Sequence, residues 1–257
     1  MAAELGDGRV DLAAERVELA RACRVLAYRG LVDDVLGHVS LRVGAHSLLV
    51  RCRGPRESGL RFTTPDDIRL VDLDTEPAAE LDDGYRVPNE LPIHTEILRY
   101  RPAVRSVVHA HPRSVVVAGL AGLSLLPIVG AFDIPTMRLA ESGIAVFPRA
   151  VLIRRRDLAT ELLAAMGRAE ACTLIGHGLV TTGATIAAAV LRALSVNTLA
   201  SLSLEVVRAG GVLRAIPDGD RAELPDLGGG FNETMLWNHH LACSSADGWD
   251  LDAAQPW

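Results

Sequence analysis

Three histidines and one glutamate carry the chemistry that can be read from this chain. His109 and His111 stand in the stretch VRSVVHAHP. Val104 to Ala110 is β-branched and apolar apart from Arg105 and Ser106 near its start, the composition of a buried strand. Side chains alternate faces along a strand, so His109 and His111 project to one side, about 7 Å apart. Two imidazoles at that spacing can converge on one cation, and a third histidine with a carboxylate would complete a site like a catalytic zinc centre. The competing reading is a pair of strand histidines satisfied by hydrogen bonds, which the HAHP ending of a buried strand disfavours.

Glu90 lies nineteen positions before His109, in VPNELPIHTEILRYRP. The pattern predicts a helix over 90–101, with Pro92 in the first turn, where a missing N–H costs nothing. Glu90 and His94 are then i and i+4 on one face. An acid at a helix N-terminus is favoured by the dipole, so Glu90 has two open accounts: a first-turn carboxylate, or a ligand or proton shuttle beside a metal. His94 is expected to pack or hydrogen-bond within its helix. His177 sits in LIGHGLVTTGAT, between Gly176 and Gly178. Glycines on both sides let the backbone approach something closely, a metal in the functional account. A structural turn histidine is the alternative.

The elements that must position these residues alternate along the chain. Leu12 to Arg29 reads as an amphipathic helix closed by Gly30. HVSLRV and SLLVRC read as an antiparallel pair after a turn at Gly37, and Asp66 to Asp74 carries a further strand. Arg53 to Gly59 is a polar, exposed loop, and Thr75 to Arg86 an acidic surface excursion. After the HAH strand come a helix from about Arg113, the strand IAVFP, a helix from Asp157 to Ala169, the strand CTLIG, and a long amphipathic helix from Ala184 to Ala209. With no repeat and no low-complexity linker, residues 1–257 read as one α/β domain, with 241–257 as a tail free to be mobile.

Composition narrows the function classes. At 257 residues, 49% hydrophobic and 23% charged, the chain is globular. A net charge of −6 argues against nucleic acid as a partner. No signal peptide is read near the N-terminus, and no run of eighteen apolar residues marks a membrane span. Cys23, Cys52, Cys172 and Cys243 are far apart, as expected of buried free thiols in a reducing cytoplasm. All 26 basic residues are arginine, so a Schiff-base mechanism, which needs a lysine amine, is excluded. Carbanion chemistry would need a metal or an organic cofactor, and no glycine-rich phosphate loop for the latter is present.

GHVSLR at 37–42, Glu90, the HAHP strand and LIGHGLVTTG followed by a long helix together resemble the class II aldolase/adducin family, over nearly the whole chain. The resemblance implies a single-domain α/β/α sandwich around a mainly antiparallel sheet, in a homotetramer with active sites at subunit interfaces. It implies that His109, His111 and His177 bind a divalent cation, zinc foremost, with Mn2+, Co2+, Fe2+ or Mg2+ as the other candidates. Glu90 matches the family's acidic residue, a metal ligand and acid/base group in its sugar-phosphate aldolases.

Departures from that pattern bear on the substrate. The aldolases hold phosphate with Asn in a GNVS turn, a Thr-Gly pair and a Ser-Ser pair. Here those positions are His38, Arg53-Gly54 and Pro88-Asn89. Proline donates no N–H and no hydroxyl, so the phosphate cradle is incomplete, whereas an arginine fork suits a planar carboxylate. GHVS, TPDDI, FDIP at 132–135 and a late FN followed by Trp and His resemble a subgroup acting on dihydroxylated aromatic acids, which includes 3,4-dihydroxyphthalate decarboxylase-like proteins. The expectation is a metal-dependent lyase that decarboxylates a hydroxylated aromatic acid through a metal-stabilised enolate-like intermediate. Glu90 would be catalytic, and His38, Arg53, Gly54 and Asn89 would contact a carboxylated substrate. His239 and His240, in WNHH, would be interface contributors or parts of a solvated tail. The alternatives are an aldolase or epimerase on a sugar phosphate or hydroxy-keto acid, an iron-dependent oxygenase on the same fold, and an adducin-like binding module.

Overall fold

The computed structural model of the chain describes residues 11–251. Short apolar runs separated by glycine-bearing turns form seven strands: β1 (His38–Arg42), β2 (Ser47–Arg51), β3 (Ile68–Asp72), β4 (Ser106–Ala110), β5 (Ala145–Phe147), β6 (Ala171–Leu174) and β7 (Gly178–Gly183). They make one sheet in the order β3-β2-β1-β4-β7-β6-β5. Every pairing is antiparallel except β5 with β6. Strand β4 lies at its centre, with His38 opposite His109 on one side and Val180 opposite His109 on the other.

Eight α-helices accompany the sheet among the described residues: α1 (Ala13–Tyr28), α2 (Leu91–Tyr100), α3 (Arg113–Leu120), α4 (Ile134–Glu141), α5 (Arg156–Met166), α6 (Ile186–Arg208), α7 (Asp218–Ala222) and α8 (Leu236–Ala246). Strand alternation gives the sheet two apolar faces, so helices cover both. Val39, Leu41, Leu49, Val108 and Ala110 join α1, α3 and α6 in one core. Leu48, Val50, Val107 and Val180 join α2 and α5 in the other. His109 and His111 share the face of Val107, toward α2. The α/β/α sandwich is the architecture the sequence led us to expect.

Three local expectations change. Helix α6 is not amphipathic: it packs against α1, α3, α4 and the sheet, and buries a broad arc from Ile186 to Leu204. It is long and apolar enough by composition to cross a membrane, but 56% of that window is buried inside this domain. Cys243 is partly exposed, whereas Cys23, Cys52 and Cys172 are buried free thiols that burial pushes up to about 12. Of the expected tail 241–257, residues through Ala246 continue α8, and Tyr28 Oη donates to Asp247 at 2.6 Å while its ring meets Trp249 edge-on. Residues 252–257 lie outside the described part of the chain.

Candidate metal centre

Four side chains from three separate segments meet at the α2 end of β4. Glu90, His109, His111 and His177 each present a ligand atom, and these atoms lie within 4.8 Å of one another. Glu90 Oε2 is 3.2 Å from His109 Nε2 and 3.4 Å from His177 Nε2, and the Nε2 atoms of His109 and His111 are 2.8 Å apart. The site is largely closed to water, with His109 fully buried and Glu90 4% exposed.

Backbone contacts aim these groups. His109 Nδ1–H donates to the Leu179 carbonyl at 2.9 Å, which leaves its Nε2 lone pair turned to the cluster. The Ile153 N–H donates to Glu90 Oε1 at 2.8 Å, so only Oε2 faces the histidines. Glu90 occupies the position before the first residue of α2, yet its side chain makes no capping bond there. Of its two accounts, geometry favours the one that turns the carboxylate to the histidines. Gly178 is required for close approach, but not to a metal: a Cβ there would stand 2.2 Å from the Ala110 carbonyl and 3.1 Å from the His111 ring. It lets β7 press against the strand that carries the histidines.

Electrostatics keep the cluster ready for a cation. Burial works against charge on Glu90, but His109 and His177 outweigh it and hold the carboxyl well below the usual carboxylate range. Burial and the neighbouring histidines push His111 down to about 3, so its imidazole is neutral at pH 7. His177 Nδ1 is buried without a hydrogen-bond partner. Three imidazole nitrogens and one carboxylate oxygen are a donor set that zinc or another late first-row ion accepts, so these residues fit a divalent ion.

The other singled-out residues lie at varied distances from this centre. His38 is beside it, its ring 5.1 Å from that of His109. His94 does not bond within its own helix but reaches across to β1: its Nε2 meets His38 Nδ1, and its Nδ1 meets Ser40 Oγ, both at 2.6 Å. Asn89 is exposed, directly before Glu90. Arg53 is tied through its backbone to Arg86, and Gly54 lines a depression of about 520 Å³ beside Tyr85. Among the described residues, no hydrogen bond or ion pair joins Arg53, Gly54 or Asn89 to the four-residue cluster. On α8, His239 is exposed and His240 is buried, its Nδ1 3.3 Å from the Arg29 guanidinium; neither enters the cluster. Ser40 and the Ile153 N–H escaped sequence reasoning. Ser40 left one faint signal, a polar residue two positions from His38 and so on the same face of the strand; a backbone donor leaves none.

His240 makes a testable prediction about acid stability. Burial first, then Arg29 and His239, push it down to about 4. An unfolded histidine titrates near 6.5, so the unfolded chain binds more protons between those values. Stability from this site is therefore full above about pH 6.5 and is lost as pH falls from there toward 4. Urea midpoints measured from pH 8 to 5 should fall on the acid side, and His240→Gln should flatten that fall. An identical slope in the variant would count against the assignment.

The chain belongs to the class II aldolase and adducin family: the profile of the Class II Aldolase and Adducin N-terminal domain matches residues 17–204. Among its relatives, the 3,4-dihydroxyphthalate decarboxylase of Arthrobacter keyseri is 60% identical over 236 residues, covering 91% of this chain and 95% of that protein. The enzyme of the same name from a Terrabacter species is 56% identical over 232 residues, 90% of this chain and 97% of its own. The fold resembles that of an aldolase II superfamily protein from Pseudomonas syringae, with a TM-score of 0.78 at 22% identity, covering 95% of this chain and 97% of the other.

Proposed function

We propose that this chain is a carbon–carbon lyase that removes one carboxylate from a hydroxylated aromatic acid, with 3,4-dihydroxyphthalate as its substrate. The observation that carries this reading is 60% identity, along almost the full length of both chains, to a decarboxylase of that acid. His109, His111 and His177 would hold the divalent ion, zinc by donor set, with Glu90 beside it. When bound, the ion would supply Lewis acidity for negative charge that develops on the substrate.

The residues of the chain do the rest. Glu90, a carboxylate at rest, takes a proton from the substrate hydroxyl through Oε2, the oxygen not tied to Ile153. The bond to the departing carboxylate breaks with its electron pair left in the ring, and Glu90 returns the proton to that carbon. Water supplies the one proton consumed overall. His38 and Arg53 orient the substrate, Arg53 by gripping the retained carboxylate, with Gly54 beside Arg53 and Asn89 beside Glu90.

The same reading includes a homotetramer in the cytoplasm with active sites at subunit interfaces. His239 and His240 line a cleft of about 380 Å³ with Phe132 and Phe231, on a surface where Phe132 is 77% exposed, which suits contact between copies. Three buried free thiols suit a reducing compartment.

Anaerobic incubation of the metal-loaded protein with 3,4-dihydroxyphthalate tests the reading. One carbon dioxide per substrate is expected, with 3,4-dihydroxybenzoate as product if the carboxylate beside a ring hydroxyl leaves and 2,3-dihydroxybenzoate if the other one does. A requirement for dioxygen would favour the oxygenase instead. Arg53→Gln should lower kcat/KM on that substrate by roughly 30- to 1000-fold, the loss of a charge-assisted bidentate contact. Wild-type behaviour of that variant, or faster turnover of a sugar phosphate, would overturn the carboxylate assignment.

A further inference from the structure

Ser40, His94 and His38 form a buried hydrogen-bonded chain that ends beside the candidate metal ligands. Ser40 and His94 are fully buried and His38 is 7% exposed. Both links measure 2.6 Å, Ser40 Oγ to His94 Nδ1 and His94 Nε2 to His38 Nδ1. Ser40 is itself braced, since Ser106 Oγ donates to its carbonyl at 2.9 Å. The chain therefore fixes the ring of His38 and commits its Nδ1. Among the described residues, no protein group bonds to His38 Nε2, and that nitrogen is not among the buried atoms left without a partner, so it stays open to a ligand. His38 pairs with His109 across β1 and β4, which puts its ring next to the cluster.

We propose that His38 recognises a ring hydroxyl of the substrate, and that His94 and Ser40 are positioning residues that hold it for that contact. This rests on the decarboxylase reading above and names the group that would discriminate among aromatic acids.

Proton bookkeeping along the chain selects the ligand group. If Ser40 donates to His94, then His94 donates to His38, and His38 Nε2 carries a hydrogen. If both bonds run the other way, His38 Nε2 presents a lone pair. A hydroxyl both donates and accepts, so it satisfies either setting, whereas a carboxylate satisfies only the first. A ring that covers His38 Nε2 without offering it a hydroxyl leaves that nitrogen dry and unpaired, so a site built this way should reject rings that lack the hydroxyl.

The test uses calorimetry on the metal-loaded protein with 3,4-dihydroxybenzoate, 3-hydroxybenzoate and 4-hydroxybenzoate as probes. Wild type should lose about 10-fold in affinity when the contacted hydroxyl is missing. His38→Phe should erase that difference while the protein keeps its metal. Ser40→Ala, the milder change, should shrink it. In the metal-free protein, proton NMR should show a far-downfield imidazole N–H from the short His38–His94 bond, lost in Ser40→Ala with the amide spectrum otherwise preserved. A hydroxyl preference that survives in His38→Phe would overturn the proposal, because the metal alone would then be selecting the catechol. Loss of the ion in His38→Phe would overturn it as well, by making His38 a ligand. Carbon dioxide release by wild type is read separately: if it fails, the decarboxylase reading falls, while the binding series still reports on His38.

Discussion

His109→Ala and His111→Ala should each abolish turnover and strip the divalent ion, with far-UV circular dichroism close to wild type. Each variant removes one of the three imidazoles in the four-residue cluster. Loss of an outer-shell partner alone typically costs about 10–100-fold in metal affinity, and loss of a ligand should cost more. The fold should survive because the sheet is held by its backbone ladder, which runs through β4 whichever side chains it carries. Metal analysis of the purified protein should find about one ion per subunit in wild type, as a single such centre holds. Full occupancy in the double variant would refute the ligand assignment.

Glu90→Gln should lower the rate by roughly 10²–10⁴-fold, the contribution of a positioned acid–base group, with metal retained. As a mere helix-end charge, Glu90 would cost only a few tenths to about 1 kcal/mol of stability, with activity kept. Glutamine preserves shape and can still accept from the Ile153 N–H, so the fold and the loop around Ile153 should stay in place. What it cannot do is shuttle a proton through the second oxygen. Rate, metal content and Tm on this one variant separate the accounts: an unchanged rate with a slightly lower Tm makes Glu90 structural, and a collapsed rate with metal bound makes it catalytic.

Much of the fold was legible because its signals are local. The β-branched VRSVVHAHP, the Pro92 first turn and Gly30 after α1 each act within a few residues, and the strands and helices form where those signals stand. Alternation along β4 and one residue beyond it was enough to bring His109 and His111 together on one side. The differences lie in segments whose fate depends on distant partners. Helix α6 reads as amphipathic along the chain but is wrapped by other helices, and the described part of the expected tail, residues 241–251, packs back onto α1.

The sequence by itself determined which residue types could bind a cation, that no imine chemistry is open to a chain without lysine, and which strand carries two of the histidines. Only the tertiary structure decided that Glu90 turns away from its helix to His109 and His177, that Ile153 claims one of its oxygens, and that His94 crosses to Ser40 and His38. The reason is physical. Residue type and spacing set what a side chain can do and which face it leaves. Its hydrogen-bond partners come from segments 54 to 70 positions away, brought within reach only when the sheet closes and water is gone.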